Sequence, residues 1–192
     1  MKTQNKRLVL TAAVVIFTAA LSRLLPHPPN FVPILALGVF GGTVIKDKKY
    51  AFIFPLAALL ISDTMFQLFT STPGFYGLGQ VFVYAAFMLT TFVATRIRKV
   101  NVANVLLTCI ASSVIFFLVS NFGDWIARSF YPKTFAGLMT CYADALPFYN
   151  HDYLFGSFAL NTLTSTIFFT ALMFGAYAVV KNALLQPAPQ KA

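Results

Sequence analysis

The chain has 192 residues, of which 58% are hydrophobic and only 10% charged, with a formal net charge of +9 and a mean hydropathy of +0.76. Soluble domains carry roughly 25% charged residues, so a soluble fold of this length has too little polar surface to cover itself, and an integral membrane protein remains. The basic residues lie in short scattered groups beside apolar segments, which gives no support to a nucleic-acid partner.

Six apolar segments follow one another near 8–25, 31–45, 50–69, 78–95, 104–120 and 154–180. Continuous runs of this kind become helices, because lipid offers no partner to open backbone groups, and they lack the alternation of a membrane barrel. The expected fold class is therefore an all-α integral membrane protein, a six-transmembrane-helix bundle forming one domain over 1–182, with "QPAPQKA" ending a disordered cytoplasmic tail over 183–192. Residues 8–20 also fit a signal-peptide core with cleavage near Ala20, but that would leave an odd five spans. The second segment is short and needs tilt, local thinning or burial among its neighbours.

Charge orients the bundle. Lys2, Lys6, Arg7, Lys46, Lys48, Lys49, Arg96, Arg98, Lys99, Lys181 and Lys191 fall on one side, and Arg23, Arg128 and Lys133 on the other. By the positive-inside rule both termini are cytoplasmic and the localisation is the cytoplasmic (inner) membrane. There is no glutamate; Asp63, Asp124, Asp144, Asp152, His27 and His151 all fall toward the external half.

Between the first two segments stands "LLPHPPNFVPI" (24–34), in which Pro28 and Pro29 end any helix and leave His27 and Asn30 at a stiff external corner. The third segment carries Ser62, Asp63 and Gln67, with the last two on one helix face. A carboxylate at that depth is either a ligand group on the floor of an outward cavity or a structural partner of Arg23. The following "TSTPGFYGLGQVFVY" mixes glycines with Phe75, Tyr76 and Tyr84, as suits a loop over a flat ligand or an interfacial aromatic belt. The longest external segment, 121–153, holds Asn121, Trp125 and a mildly amphipathic stretch, 134–146, and reads as a lid or as interfacial anchoring. Gly38 and Gly42 are four apart, as in seams for close helix packing inside a bundle or at a docking surface.

Metal and enzyme signatures are missing. His27, His151, Asp152 and Cys141 show no ligand spacing, and Cys109 and Cys141 lie at different depths, so neither a metal site nor a disulfide is expected. No nucleophile elbow, zincin helix, Walker motif or CxxC occurs, so no catalysis and no cofactor is expected, and a hydrolase built on His151 and Asp152 is the weaker alternative.

The stretches "HPPNFVPILALGVFGG", "SD" at 62–63 and "SNFGDW…YPKTFAGLMTCYADALPF" resemble an uncharacterised family of bacterial six-span membrane proteins. That family is in turn similar to the S (substrate-binding) components of energy-coupling factor vitamin transporters. The resemblance implies external binding of a vitamin-like solute among the loops joining spans one and two, three and four, and five and six. It also implies a partner, a transmembrane coupling subunit with ATPases. The Ala-x-x-x-Ala docking pattern of such components is absent from the first span here.

The expected site combines His27, Asn30, Asp63, Gln67, Gln80, Tyr84, Asn121, Trp125 and Asn161 around a small solute. The rival expectation is a scaffold of cell-envelope machinery with a filled interior. A reporter cysteine at either terminus is expected to react with a membrane-impermeant reagent only after cells are opened. Labelling of either end in intact cells would overturn the six-span orientation.

Overall fold

The computed structural model describes the backbone of residues 2–146 and 158–185 and the side chains of 6–146 and 159–184. Over these residues the chain is all-helical. Its helices are α1 (Lys2–Leu21), α2 (Ile34–Val44), α3 (Lys48–Phe69), α4 (Leu78–Ala94), α5 (Val102–Ala127), α6 (Phe135–Asp144) and α7 (Phe158–Leu185), with one 3-10 turn at Ser22–Leu24.

Four helices, α1, α3, α5 and α7, are long and apolar enough to cross a membrane. Only 22–28% of their span windows is buried inside the protein, and Leu10, Val14, Leu107, Leu172 and Val179 face outward. Such an apolar exterior is compatible with lipid around the bundle and costly in water.

Helix α2 is different. Its eleven residues rise about 16 Å, roughly half of a hydrocarbon layer. Leu35 to Gly42 are all buried, and α1, α3, α4, α5 and α7 all touch it. A helix that is apolar on every side belongs at a centre. A Cβ on Gly42 would lie 2.7 Å from the Ala94 Cβ and 2.7 Å from the Thr91 carbonyl oxygen, and one on Gly38 2.7 Å from the Thr91 hydroxyl. The small-residue seam is thus an internal contact with α4.

The proline corner before α2 is fastened from across the bundle. Asn161 Nδ2 on α7 donates to the Pro29 carbonyl at 2.7 Å, and Ser165 Oγ donates to the Asn30 carbonyl at 3.4 Å. Asn30 has φ +58°, a left-handed conformation that asparagine tolerates better than most side chains.

Helix α5 runs seven residues beyond the expected end at 120, to Ala127. Hydropathy falls after Ser120, but apolar packing continues. Phe122 meets Phe82 of α4 edge-on, ring centres 5.8 Å apart, and its ring centre lies 5.6 Å from that of Trp125. Asn121, Asp124 and Trp125 are therefore borne on a helix. The expected helix within 134–146 is α6, capped by Thr134, whose side chain accepts from the Gly137 N–H. It lies on the same end of α5, with Tyr142 Oη donating to the Leu118 carbonyl at 2.9 Å. Helix α7 reaches Leu185, so 183–185 belong to it and not to a tail. Cys109 and Cys141 are both free.

Replacing Gly42 by valine is expected to destabilise the bundle by roughly 1–3 kcal/mol through overpacking. Gly175→Ala, where a Cβ meets nothing within 4 Å, is expected to be harmless. Thermal unfolding of both variants in detergent tests the contrast, and equal melting would remove α2 from the centre of the stability argument.

Candidate functional site

Asp63 sits at a polar node where the end of α1, the C-terminal part of α3 and the start of α4 meet. Arg23 from the 3-10 turn places Nη1 2.7 Å from Asp63 Oδ1 and also donates to Ser62 Oγ. Tyr84 Oη donates to Asp63 Oδ2 at 2.6 Å, and Gln80 Nε2 donates to the same oxygen at 3.1 Å. The Arg23 and Asp63 side chains are only 12% and 8% exposed, so both ions rely on these bonds in place of water. The Arg23 guanidinium also lies 5.3 Å from the Phe66 ring centre.

The node then ties down the α3–α4 loop. Gln80 Nε2 donates to the Gly74 carbonyl at 2.9 Å, and Gln80 Oε1 accepts from the Tyr76 N–H at 3.2 Å. Gln67 Oε1 accepts from the Gly74 N–H at 3.1 Å. Gly74 presses on the Asp63 carbonyl so closely that no side chain fits. Loss of water around its hydroxyl end, and next the Asp63 carboxylate, push the Tyr76 phenol up to about 12.

Beside this node lies a cavity of about 420 Å³, reached by Asn30 and Ile34 of the corner and α2, Tyr76 of the loop, and Thr162 of α7. Its longest wall is one face of α5, comprising Ser113, Phe116, Phe117, Ser120, Asn121 and Asp124, with Arg128 as the residue capping the end of the helix, a helical spacing of three and four. A smaller space of about 40 Å³ adjoins it, sharing Asn30, Ile34, Phe116 and Thr162 and reaching Thr166.

Of the nine expected residues, Asn30 and Asn121 line this cavity. Gln80 and Tyr84 both donate to Asp63, and Gln67 holds the loop. His27 remains on the corner, its ring nitrogens 3.0 Å from the Pro28 carbonyl and 3.1 Å from the Arg23 carbonyl. Trp125 Nε1 donates to the Pro132 carbonyl at 2.9 Å, with Lys133 Nζ 5.5 Å from its ring centre. Asn161 is fully buried and fastens the corner. The expected site left out Ser113, Ser120, Asp124 and Arg128, whose signal was the period along α5, and Thr162 of α7; Tyr76 entered only as part of a loop suited to a flat ligand. Among the described residues, no three His, Cys, Asp or Glu side chains gather as a metal site requires. His151 and Asp152 lie outside the described residues.

Asp63→Ala leaves the Arg23 cation without its ionic partner, and an expected loss of about 3–5 kcal/mol follows. The Arg23→Ala, Asp63→Ala double variant is expected to lose less than the sum of the two single changes. A thermal-unfolding double-mutant cycle checks this; strict additivity would dissolve the node.

Searches for similar proteins found no match among curated proteins and none among solved structures. One family model does match, over residues 2–189 and so almost the whole chain. The chain belongs to the family described as "Family of unknown function (DUF6580)".

Proposed function

We propose that the chain is a six-span, S-component-like binding protein of the cytoplasmic membrane that takes a small, planar solute from the external side and performs no chemistry on it. The observation that carries this reading is the 420 Å³ cavity, a size within the roughly 300–1,000 Å³ of small-molecule sites. Its walls combine Ile34, Val83, Phe116 and Phe117 with polar residues that make up more than half of the lining residues, which supplies both apolar contact and hydrogen-bonding groups to orient a ligand.

Location supports the same reading. Asn30, Tyr76 and Ala145 bring the connections after α1, α3 and α6 to the cavity rim, and S components place their solute among the corresponding loops. The basic groups Lys46–Lys49 and Arg96–Lys99 follow the opposite ends of α2 and α4, which directs the cavity outward under the positive-inside rule. Onward movement would need a coupling subunit with ATPases, since the chain has no nucleotide-binding motif. A scaffold would favour a filled interior, and the open volume weighs against it.

Purification from native membranes, followed by mass spectrometry of small molecules released on unfolding, is expected to yield a bound solute. Asn121→Leu is expected to lower the released amount by about tenfold, close to 1.4 kcal/mol of binding, with melting unchanged. Equal release from variant and parent would remove the cavity from the function.

A further inference from the structure

The α5 wall is unequal in what it offers a ligand. Ser113 Oγ donates to the Cys109 carbonyl at 2.9 Å, and Ser120 Oγ donates to the Phe116 carbonyl at 2.6 Å. Each hydroxyl proton is therefore committed to the helix, and the oxygen keeps only lone pairs for a guest. Asn121 spends one N–H on the Phe117 carbonyl at 2.8 Å, which fixes its amide orientation and leaves the carbonyl oxygen as an acceptor beside one further N–H. Asp124 adds a carboxylate one turn further on. Three side chains of the α5 wall that present acceptors, Ser120, Asn121 and Asp124, are thus consecutive on one face.

Charge sharpens the contrast. Asp124 meets Arg128 through a single Nε–Oδ1 approach of 3.5 Å, with the side chains 41% and 67% exposed. Pairs this open and this long bind weakly and exchange readily. Asp124 Oδ1 faces Gly79 in the first turn of α4, where a Cβ would come within 3.5 Å of it, so the absent side chain leaves that approach to the carboxylate uncovered. Beyond it, Phe116, Phe117 and Tyr76 supply flat walls that favour an aromatic body and, at their faces, a cation.

Resting on the binding function proposed above, we infer that the cavity selects a solute with an aromatic body and a positively charged nitrogen, received by Asp124 together with the Ser120 and Asn121 oxygens. Arg128 is displaced from Asp124 by that nitrogen and stays at the rim, where it accepts a carboxylate if the same solute carries one. A simple anion has only Arg128 and one Asn121 N–H to bind, and it fares worse because it must approach the Asp124 carboxylate and a Ser120 oxygen whose proton is already given to the helix.

Three probes sharing one phenol ring separate the possibilities: tyramine, 4-ethylphenol and 4-hydroxyphenylacetate. Saturation-transfer NMR on the full chain in nanodiscs, referenced to empty nanodiscs, is expected to rank tyramine first and 4-hydroxyphenylacetate last. The isosteric change Asp124→Asn is expected to weaken tyramine by about tenfold, toward the neutral phenol, with melting unchanged. Ser120→Ala is expected to weaken it less. A preference for the anion, or a tyramine preference undiminished in Asp124→Asn, would overturn the charge selection while leaving the binding function standing. Transfer to none of the three would overturn both.

Discussion

Helix α2 sets the terms for the rest of the bundle. Its eleven residues cannot reach across a hydrocarbon layer of about 30 Å, and lipid would leave the ends of such a helix with unpaired backbone groups. The remedy is to surround it. Phe40, Leu37, Val39 and Ala36 are fully buried, and five helices form the jacket. Gly38 and Gly42 let α4 approach at backbone distance. Because α2 starts only at Ile34, after the proline corner, the space beyond its first turn is not filled by its own continuation. Ile34 at its first turn contributes to the cavity wall, and Asn30 and Ile34 contribute to the small adjoining space.

The proline corner belongs to the same solution. A short central helix needs its entry point fixed, since any shift of the corner would slide the whole hub. Pro28, Pro29 and Pro33 limit the backbone locally, and α7 supplies the distant restraint through Asn161 and Ser165. The buried hydroxyls Thr166 and Thr170 continue along α7, with Cys109 Sγ of α5 donating toward Thr170 at 3.6 Å. Hydrogen bonding between neighbouring helices is a source of specificity that lipid-like side chains cannot provide.

Legibility in the sequence varied with the kind of signal. Continuous apolar runs gave the helices, and the shared depth of Arg23 and Asp63 gave their pairing as one of two readings. The end of α5 was obscured because hydropathy measures affinity for lipid, whereas the helix is extended past Ser120 by the packing of Phe122 against Phe82 and Trp125. Ending the helix at 120 hid the period that joins Ser113, Ser120, Asp124 and Arg128 on one face. Gln67 was misleading for another reason. Its position four residues after Asp63 places both on one face, yet the "TPG" turn presents N–H groups that need acceptors, and Gln67 meets the Gly74 N–H. Periodicity reports which residues share a face; it does not report which loop folds back onto it.

The polar node and the cavity are neighbours with different tasks, and Tyr76 connects them. Asp63 has one oxygen occupied by Arg23 and the other by Tyr84 and Gln80, so it has little left to offer a guest. Gln80, however, passes that order outward by accepting the Tyr76 N–H, and Tyr76 is part of the cavity wall. The pull of Arg23 on Asp63 thereby fixes the backbone of residues 74–76. Under the proposed function, Asp63, Gln67 and Gln80 act on the solute through the placement of Tyr76, and Asn30 and the α5 face act by contact. Pre-set walls lower the ordering cost of binding. Under the same proposal, a buried ion pair that contributes little net stability is still needed, because it defines the geometry against which the solute is measured.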